Sequence, residues 1–179
     1  MEAERDSDSS TKGSTAAGDL TPTHTSDTED LLPEYTYGFQ SPTRKEIVPC
    51  AGNTYIIRDP ISGRQITLER GELSLKHHTG EQGGFHWVCI ENNGWLGFYD
   101  PVHGMYMGRD NRGGYIAKVK RHRGHEYFCA RRHVDGGYLL LTQHWNLLMK
   151  MRIDKDGKTL VETNGEGTAW EFVKAKVGT

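Results

Sequence analysis

Residues 105–141, MYMGRDNRGGYIAKVKRHRGHEYFCARRHVDGGYLLL, contain the pattern that decides the fold of this 179-residue chain. Short apolar and aromatic runs alternate there with turn sequences, such as DNRGG at residues 110–114 and DGG at residues 135–137. Asp-Gly and Asn-Gly pairs supply the positive φ angles that tight hairpins need. The stretch therefore predicts four short β-strands, with basic residues and histidines grouped around the third and fourth.

The same four-strand pattern occurs three times along the chain. Segments 85–89, 126–130 and 170–174 are apolar–aromatic strands, and their central aromatics Trp87, Phe128 and Phe172 lie 41 and 44 residues apart. Three further landmarks recur at intervals of 40 to 45 residues, at 55–57, 95–97 and 138–140; at 66–68, 106–108 and 148–150; and at 73–75, 115–117 and 160–162. A period shared by four landmarks indicates an internal threefold repeat.

Twelve short antiparallel strands in three equal units have a well-known solution, the β-trefoil, in which six strands close a barrel and three hairpins cap one end. Closure removes the exposed sheet edges that such strands would otherwise present. No window has the 3.6-residue stripe of an amphipathic helix. We therefore predict an all-β chain, with a β-trefoil at residues 46–179 built from three repeats of about 42 residues. An acidic, Ser/Thr-rich tail at residues 1–45 is expected to be disordered or strapped on the surface.

The middle repeat resembles the fascin-type β-trefoil family. The matching motifs are YMGRD at residues 106–110, GYIA at 114–117, EYF at 126–128 and DGGY at 135–138. In that family a YLG-D strand is followed by a strand that begins after glycine, and an E-x-F strand precedes an aspartate–glycine turn. The resemblance implies the β-trefoil fold and actin as a candidate partner. Fascins contain four such domains, so a chain with one would bundle filaments only as an oligomer.

Charge is unevenly distributed along the chain. Residues 1–43 contain nine acidic and two basic residues, net −7, whereas residues 44–179 contain fifteen acidic and twenty basic residues, net +5. The first ten residues, MEAERDSDSS, have no apolar run of the signal-peptide type, and no segment is apolar enough to span a membrane. Three cysteines without metal-ligand spacing are expected to be reduced thiols. We therefore expect a cytoplasmic protein that binds no membrane and no cofactor or metal.

The first candidate site is a basic hairpin in the middle repeat. Its proposed binding residues are Lys118, Lys120, Arg121, Arg123, Arg131 and Arg132. Such a surface suits an anionic ligand or an acidic protein surface, with actin favoured by the family resemblance. Nucleic acid is disfavoured because the aromatic side chains that would stack on bases fit core positions better. The alternative is a solvated hairpin that balances the acidic tail.

The second candidate site is an acid/base group around Glu126. Two-residue periodicity places Glu126 on the core face, at the position of Phe85 and Trp170 in the other repeats, where a carboxylate must be paired, protonated or near solvent. With His86 and His125 it would suit a cofactor-free cyclase or isomerase that acts on a small molecule. A salt bridge from Glu126 to Arg131 or Arg132 is the alternative.

The third candidate is Trp145, in the segment TQHWN at residues 142–146. Trp87, Trp95 and Trp170 occupy repeat landmarks and are assigned to the core, whereas Trp145 is predicted to lie in a turn. A turn tryptophan beside His and Asn suits stacking on a sugar, as in a lectin, or capping of the barrel. The Gln-x-Trp repeat of ricin-type lectins is absent from all three units.

Overall fold

A computed structural model describes residues 47–77 and 84–175 of the chain. The predicted tail at residues 1–45 lies outside these residues. The described part is built from twelve β-strands and one short 3-10 turn at Gly124–Glu126, and it contains no α-helix. The strands are β1 Thr54–Arg58, β2 Gln65–Glu69, β3 Glu72–Lys76, β4 Trp87–Asn92, β5 Trp95–Asp100, β6 Met105–Arg109, β7 Tyr115–Val119, β8 Phe128–Arg132, β9 Tyr138–His144, β10 Leu147–Ile153, β11 Leu160–Thr163 and β12 Ala169–Lys174.

Six of the strands close a barrel. The antiparallel neighbours around the ring are β1–β4, β4–β5, β5–β8, β8–β9, β9–β12 and β12–β1. The last pairing brings the two ends of the described domain together, since the Ala175 amide donates a 2.9 Å hydrogen bond to the Thr54 carbonyl. Ring closure pairs every barrel strand on both sides, which leaves no edge exposed.

The other six strands form three hairpins, β2–β3, β6–β7 and β10–β11, which cap one end of the barrel. The hairpins are joined to one another around this end. Glu72 pairs with Ile116, Gly114 bridges to Val161, and the Leu75 amide donates to the Lys158 carbonyl at 2.9 Å. Six barrel strands and three capping hairpins confirm the predicted β-trefoil.

The core lies inside the barrel and beneath the cap. Along β1 the burial alternates, with Tyr55 and Ile57 at 1% and 0% exposure. The indole nitrogen of the buried Trp87 donates to the Ile66 carbonyl at 3.0 Å, which satisfies its polar atom. Burial raises the pKa of the Cys89 thiol to about 12. Cys129 is half-buried, and the third free cysteine, Cys50, is exposed.

Strand register corrects the repeat alignment in the third unit. Trp87 pairs with Tyr55, and the equivalent pairs are Phe128 with Leu96 and Trp170 with Tyr138. The equivalent aromatics are therefore Trp87, Phe128 and Trp170, which lie 41 and 42 residues apart. Phe172 is instead the counterpart of Cys89, because it pairs with Ile57 as Cys89 pairs with Phe98. An alignment that places Phe172 at the position of Trp170 is therefore wrong by two residues. Because side chains alternate between faces, a two-residue shift leaves an inward-facing residue at the same position.

Three further expectations are wrong: the start of a strand, the basic hairpin and the burial of Trp95. The strand predicted at residues 126–130 starts only at Phe128, because residues 124–126 form the 3-10 turn. The basic segment is not a hairpin either, since β7 pairs with β6 and β3, whereas β8 pairs with β5 and β9. It is a link from the cap to the barrel. Trp95 is only half-buried, and its ring stacks on Tyr127 with 5.8 Å between ring centroids.

Candidate functional site

A cleft of about 400 Å³ opens between the β6–β7 hairpin and the 3-10 turn, entirely within the second repeat. Its walls hold seven charged or titratable side chains beside apolar and amide groups. They are Tyr106, Arg109, Asp110, Asn111, Arg112, Ile116, Lys118, Val119, His125 and Glu126. Of the residues singled out from the sequence, the structure brings Lys118, His125 and Glu126 together here.

The cleft has more cationic than anionic groups. Arg109, Arg112 and Lys118 are permanently charged at neutral pH. In the part of the chain that the structure describes, no carboxylate lies within salt-bridge distance of any of these three side chains. The Asp110 side chain forms its hydrogen bonds within its own loop. Its Oδ1 accepts from the backbone amides of Arg112 at 2.7 Å and Gly114 at 2.8 Å. The loop is thereby fixed, and it presents the exposed Arg112 side chain.

Glu126 forms the back of the cleft. Only 6% of the residue is exposed, and its Oε2 accepts a 3.1 Å hydrogen bond from the Arg123 backbone amide. The carboxylate is packed against Gly108, where an added Cβ would come within 2.9 Å of Oε1. Burial raises the pKa of Glu126, although the hydrogen bond from Arg123 and the charge of Arg109 act in the opposite direction.

His125 lies on the cleft wall next to Glu126. Partial desolvation, and then the positive charge of Arg109, lower the pKa of His125 below its ordinary value. The imidazole is therefore neutral at pH 7 and gains its charge only at more acidic pH. The cleft thus combines fixed arginine and lysine charges with two groups that titrate on acidification.

Trp145 lies in the two-residue turn between β9 and β10, as predicted, and 86% of it is exposed. Its φ angle of 56° is in the left-handed region, which bulky residues rarely adopt. The neighbouring Leu147 and Leu148 are also exposed, at 58% and 40%. The indole does not cap the barrel, and that alternative is wrong.

Two hydrogen bonds connect this turn to the cleft. The Gln143 side-chain amide donates to the Trp145 carbonyl at 3.1 Å, and the Nε of Arg109 donates to the Gln143 carbonyl at 2.9 Å. Residues 143 and 145 are at most about 7 Å apart along the chain. Arg109 therefore lines the cleft and also supports the strand that leads into the Trp145 turn.

A buried polar network lies behind the same strand. The Thr142 hydroxyl is 3.1 Å from the Tyr115 hydroxyl and donates to Glu162 Oε1 at 3.1 Å, while His144 Nδ1 lies 3.0 Å from Glu162 Oε2. The Glu162 side chain is 2% exposed. This network ties β7, β9 and β11 together beneath the Trp145 turn. Sequence patterns gave no sign of it, because its members come from two repeats.

The remaining candidate residues lie elsewhere. Lys120, Arg121 and Arg123 are exposed on the link between β7 and β8, and Arg131 and Arg132 are exposed near the far end of β8. His86 precedes β4 in the first repeat, where its ring contacts Phe85, and it does not line the cleft. Sequence reasoning missed Arg109 and Arg112, which were noted only as parts of a family motif and a turn.

The described residues include no group of three or more His, Cys, Asp or Glu side chains placed to hold a metal ion. Within the same ranges, no helix has the length and apolar character needed to cross a membrane.

Comparison with solved structures supports the β-trefoil class and goes no further. A GlcNAcα1-4Gal-releasing endo-β-galactosidase from Clostridium perfringens matches 69% of this chain with a TM-score of 0.59 and 20% identity. The match covers 33% of the enzyme, so the chain spans about a third of its length. SeviL bound to asialo-GM1 saccharide matches with a TM-score of 0.57 at 13% identity, over 69% of this chain and 98% of SeviL.

A third similar structure is the designed threefold-symmetric protein ThreeFoil. Its TM-score is 0.56 at 15% identity, and the match covers 67% of this chain and 97% of the design. No family model and no curated protein matches the chain. The fascin-type resemblance therefore stays a prediction.

Proposed function

We propose that this protein is a non-catalytic carbohydrate-binding module of the β-trefoil class, with Trp145 as the platform on which a sugar ring stacks. The observation that carries the proposal is the 86% exposure of Trp145 at a left-handed position in the β9–β10 turn. Holding a bulky residue in this conformation costs about 1–3 kcal/mol, a cost that is concentrated at functional sites. The exposed indole contributes no core packing that would offset it.

The surroundings of Trp145 suit recognition of a sugar. Gln143 and Arg109 fix the backbone of the strand end and of the turn, so less backbone entropy is lost when a ligand binds there. The polar residues Gln143, His144 and Asn146 flank Trp145 in the sequence. An apolar surface with a few placed polar groups is the usual composition of a small-ligand site.

The saccharide complex of SeviL supports the proposal only through the fold. Its 13% identity transfers no residue to this chain. The proposal therefore depends on Trp145 and its supports.

The direct test is glycan-array screening of the full chain, followed by affinity measurement for the best glycan. Trp145→Ala should reduce that affinity by at least about tenfold, since stacking and the buried apolar area are both lost. Trp145→Phe should retain much of it. Ile61→Ala is the matched control, because Ile61 is 95% exposed in a turn of the first repeat. The proposal would be contradicted if no glycan on the array bound, or if Trp145→Ala kept full affinity.

A second candidate function is binding of an acidic protein surface, with actin as the partner implied by the fascin-type resemblance. It is favoured by the closely spaced exposed residues Lys120, Arg121 and Arg123. Co-sedimentation of the chain with filamentous actin tests it. Binding should be lost when Arg121 and Arg123 are both changed to Glu, and it should weaken as salt is raised.

The cytoplasmic location of the protein and the domain boundary near residue 45 also stay predictions.

A further inference from the structure

We infer that the cleft beside Trp145 is a subsite for an anionic substituent, a sulfate or a carboxylate, of the bound sugar. The ligand class would then be acidic glycans rather than neutral ones. This inference rests on the proposed function and makes its ligand more specific. It would also assign a role to the charges of Arg112 and Lys118, which form no ion pair among the described residues.

The charge balance of the cleft is the first argument. Three permanent cations line it against two carboxylates, and neither carboxylate lies within salt-bridge distance of a cation. Asp110 accepts two backbone hydrogen bonds within its own loop, and Glu126 is a buried group that accepts from the Arg123 amide. Guanidinium groups without a carboxylate partner are suited to bind the paired oxygens of sulfate or carboxylate in two parallel hydrogen bonds.

The rigidity of the cleft is the second argument. The Arg112 backbone is fixed by the bond from its amide to Asp110, and the stem of Lys118 lies across Gly71, where an added Cβ would meet its carbons at 3.1 Å. Arg109 is anchored through Nε to the Gln143 carbonyl. The contacts of Arg109 and Lys118 limit the movement of these two side chains, so less ordering entropy is lost when an anion binds.

The connection with the tryptophan is the third argument. Arg109 donates to the Gln143 carbonyl, and the Gln143 side chain donates to the Trp145 carbonyl, so two hydrogen bonds link the cleft to the backbone of the Trp145 turn. A sugar stacked on Trp145 would extend its next residue toward the cleft. The cleft volume of about 400 Å³ is large enough for a substituted monosaccharide.

The test measures the affinity of the full chain for three tetrasaccharides of related backbone. They are chondroitin sulfate, its chemically desulfated form, and a reduced, neutral form that lacks both sulfate and carboxylate. A drop in affinity from the sulfated to the desulfated form measures the preference for sulfate. A drop from the desulfated to the neutral form measures the preference for carboxylate. Arg112→Glu should lower the affinity for the preferred anionic form by at least about tenfold, and leave the weaker affinity for the neutral form within about twofold.

Lys155→Glu is the matched charge-reversal control, because Lys155 is exposed in the β10–β11 turn and does not line the cleft. It should leave all three affinities unchanged. Equal affinities for anionic and neutral forms, with Trp145→Ala still abolishing binding, would overturn the subsite and leave the proposed function intact. An equal loss in Lys155→Glu would also overturn it, because the effect would then be one of net charge.

Titration with inorganic sulfate, followed by the NMR amide shifts of residues 109–126, separates the two proposals. Shifts that are localised to the cleft and vanish in Arg112→Glu support the anion subsite, even where no glycan binds and the proposed function fails. The absence of such shifts overturns the subsite, whichever glycans bind.

Discussion

The Nε atom of Arg109 donates a 2.9 Å hydrogen bond to the carbonyl oxygen of Gln143. This contact joins the cap hairpin of the second repeat to the first barrel strand of the third. It lies between the cleft and the Trp145 turn, so a single side chain serves both.

Arg109→Ala should therefore weaken the fold slightly and glycan binding more. Loss of one partly exposed hydrogen bond should lower the free energy of unfolding by about 1 kcal/mol. Loss of both the cleft charge and the support of the turn should lower anionic-glycan affinity by about tenfold or more. Urea denaturation and calorimetric titration measure the two effects. Arg109→Lys, which keeps the charge, should show a smaller loss of affinity, and an equal loss would argue against a role for that charge.

The network around Thr142 should contribute mainly to stability. Thr142→Val removes the hydroxyl between Tyr115 and Glu162, and leaves the nearly buried Glu162 carboxylate one donor short. We expect the free energy of unfolding to fall by about 1–3 kcal/mol, because buried polar groups that lose a partner are costly. A double-mutant cycle with Tyr115→Phe, read by urea denaturation, should show coupling. Strictly additive effects would mean that the two hydroxyls do not interact.

Gly137 should be far less replaceable than Gly113, although both have positive φ angles, of 74° and 84°. An added Cβ at Gly137 would lie 2.8 Å from the Trp170 carbonyl oxygen, whereas at Gly113 nothing lies within 4 Å. Gly113→Ala should cost about 1–2 kcal/mol for the left-handed conformation alone. Gly137→Ala should cost clearly more, since the obstructing atom belongs to a barrel strand. Thermal unfolding of the two variants compares them directly, and equal losses would contradict the steric argument.

Affinity for an anionic glycan should increase as the pH is lowered from about 8 to about 5. The raised pKa of Glu126 means that its carboxyl loses its negative charge earlier on acidification than an exposed glutamate does. His125, whose pKa is lowered by desolvation and by Arg109, gains its positive charge at a lower pH than an exposed histidine does; Glu162 and His144 also act on it, with opposite effects. Both changes make the cleft more positive. Calorimetric titration across this range should show a monotonic rise, and a fall would contradict the assignment.

Glu126→Gln isolates one of these two groups. At pH 7 it should raise anionic-glycan affinity by about two- to five-fold, because a negative charge leaves the cleft while its shape is kept. The raised pKa of Glu126 also sets how stability depends on pH. Protonated Glu126 is favoured in the folded state, so this contribution to stability is present at low pH and is lost as the pH rises through the folded-state pKa. The variant should therefore gain stability, relative to the parent, mainly above that pKa. If the protein were a cyclase or isomerase acting through Glu126, the same change would abolish turnover.

The fold was predictable from sequence because its determinants are local and repeated. Turn glycines and inward aromatics such as Tyr55, Trp87 and Phe128 recur at one spacing, and each short strand has its own pattern. The error in the third repeat arose because Trp170 and Phe172 are both aromatic and both face inward. Two-residue periodicity cannot distinguish them, and only strand pairing can.

The site was less predictable because it depends on contacts between elements that are separated in sequence, both within the second repeat and from Arg109 to Gln143 of the third. Trp145 stood out as a turn residue, and Lys118, His125 and Glu126 were all noted, but their grouping with Arg109 results from the way the 3-10 turn packs on β6. Basic residues that are adjacent in sequence were expected to form one surface. The chain instead passes from cap to barrel between Lys118 and Arg131, which separates them.

The pairing of β1 with β12 has a mechanical consequence. The first and last strands of the described domain are antiparallel, and the start of β1 at Thr54 meets the end of β12 at Ala175. A force that pulls these two ends apart loads the ladder one hydrogen bond at a time, in an unzipping geometry, instead of shearing all its bonds together. Under tension the barrel should therefore peel open between its first and third repeats, while the cleft and the Trp145 turn keep their mutual support until later.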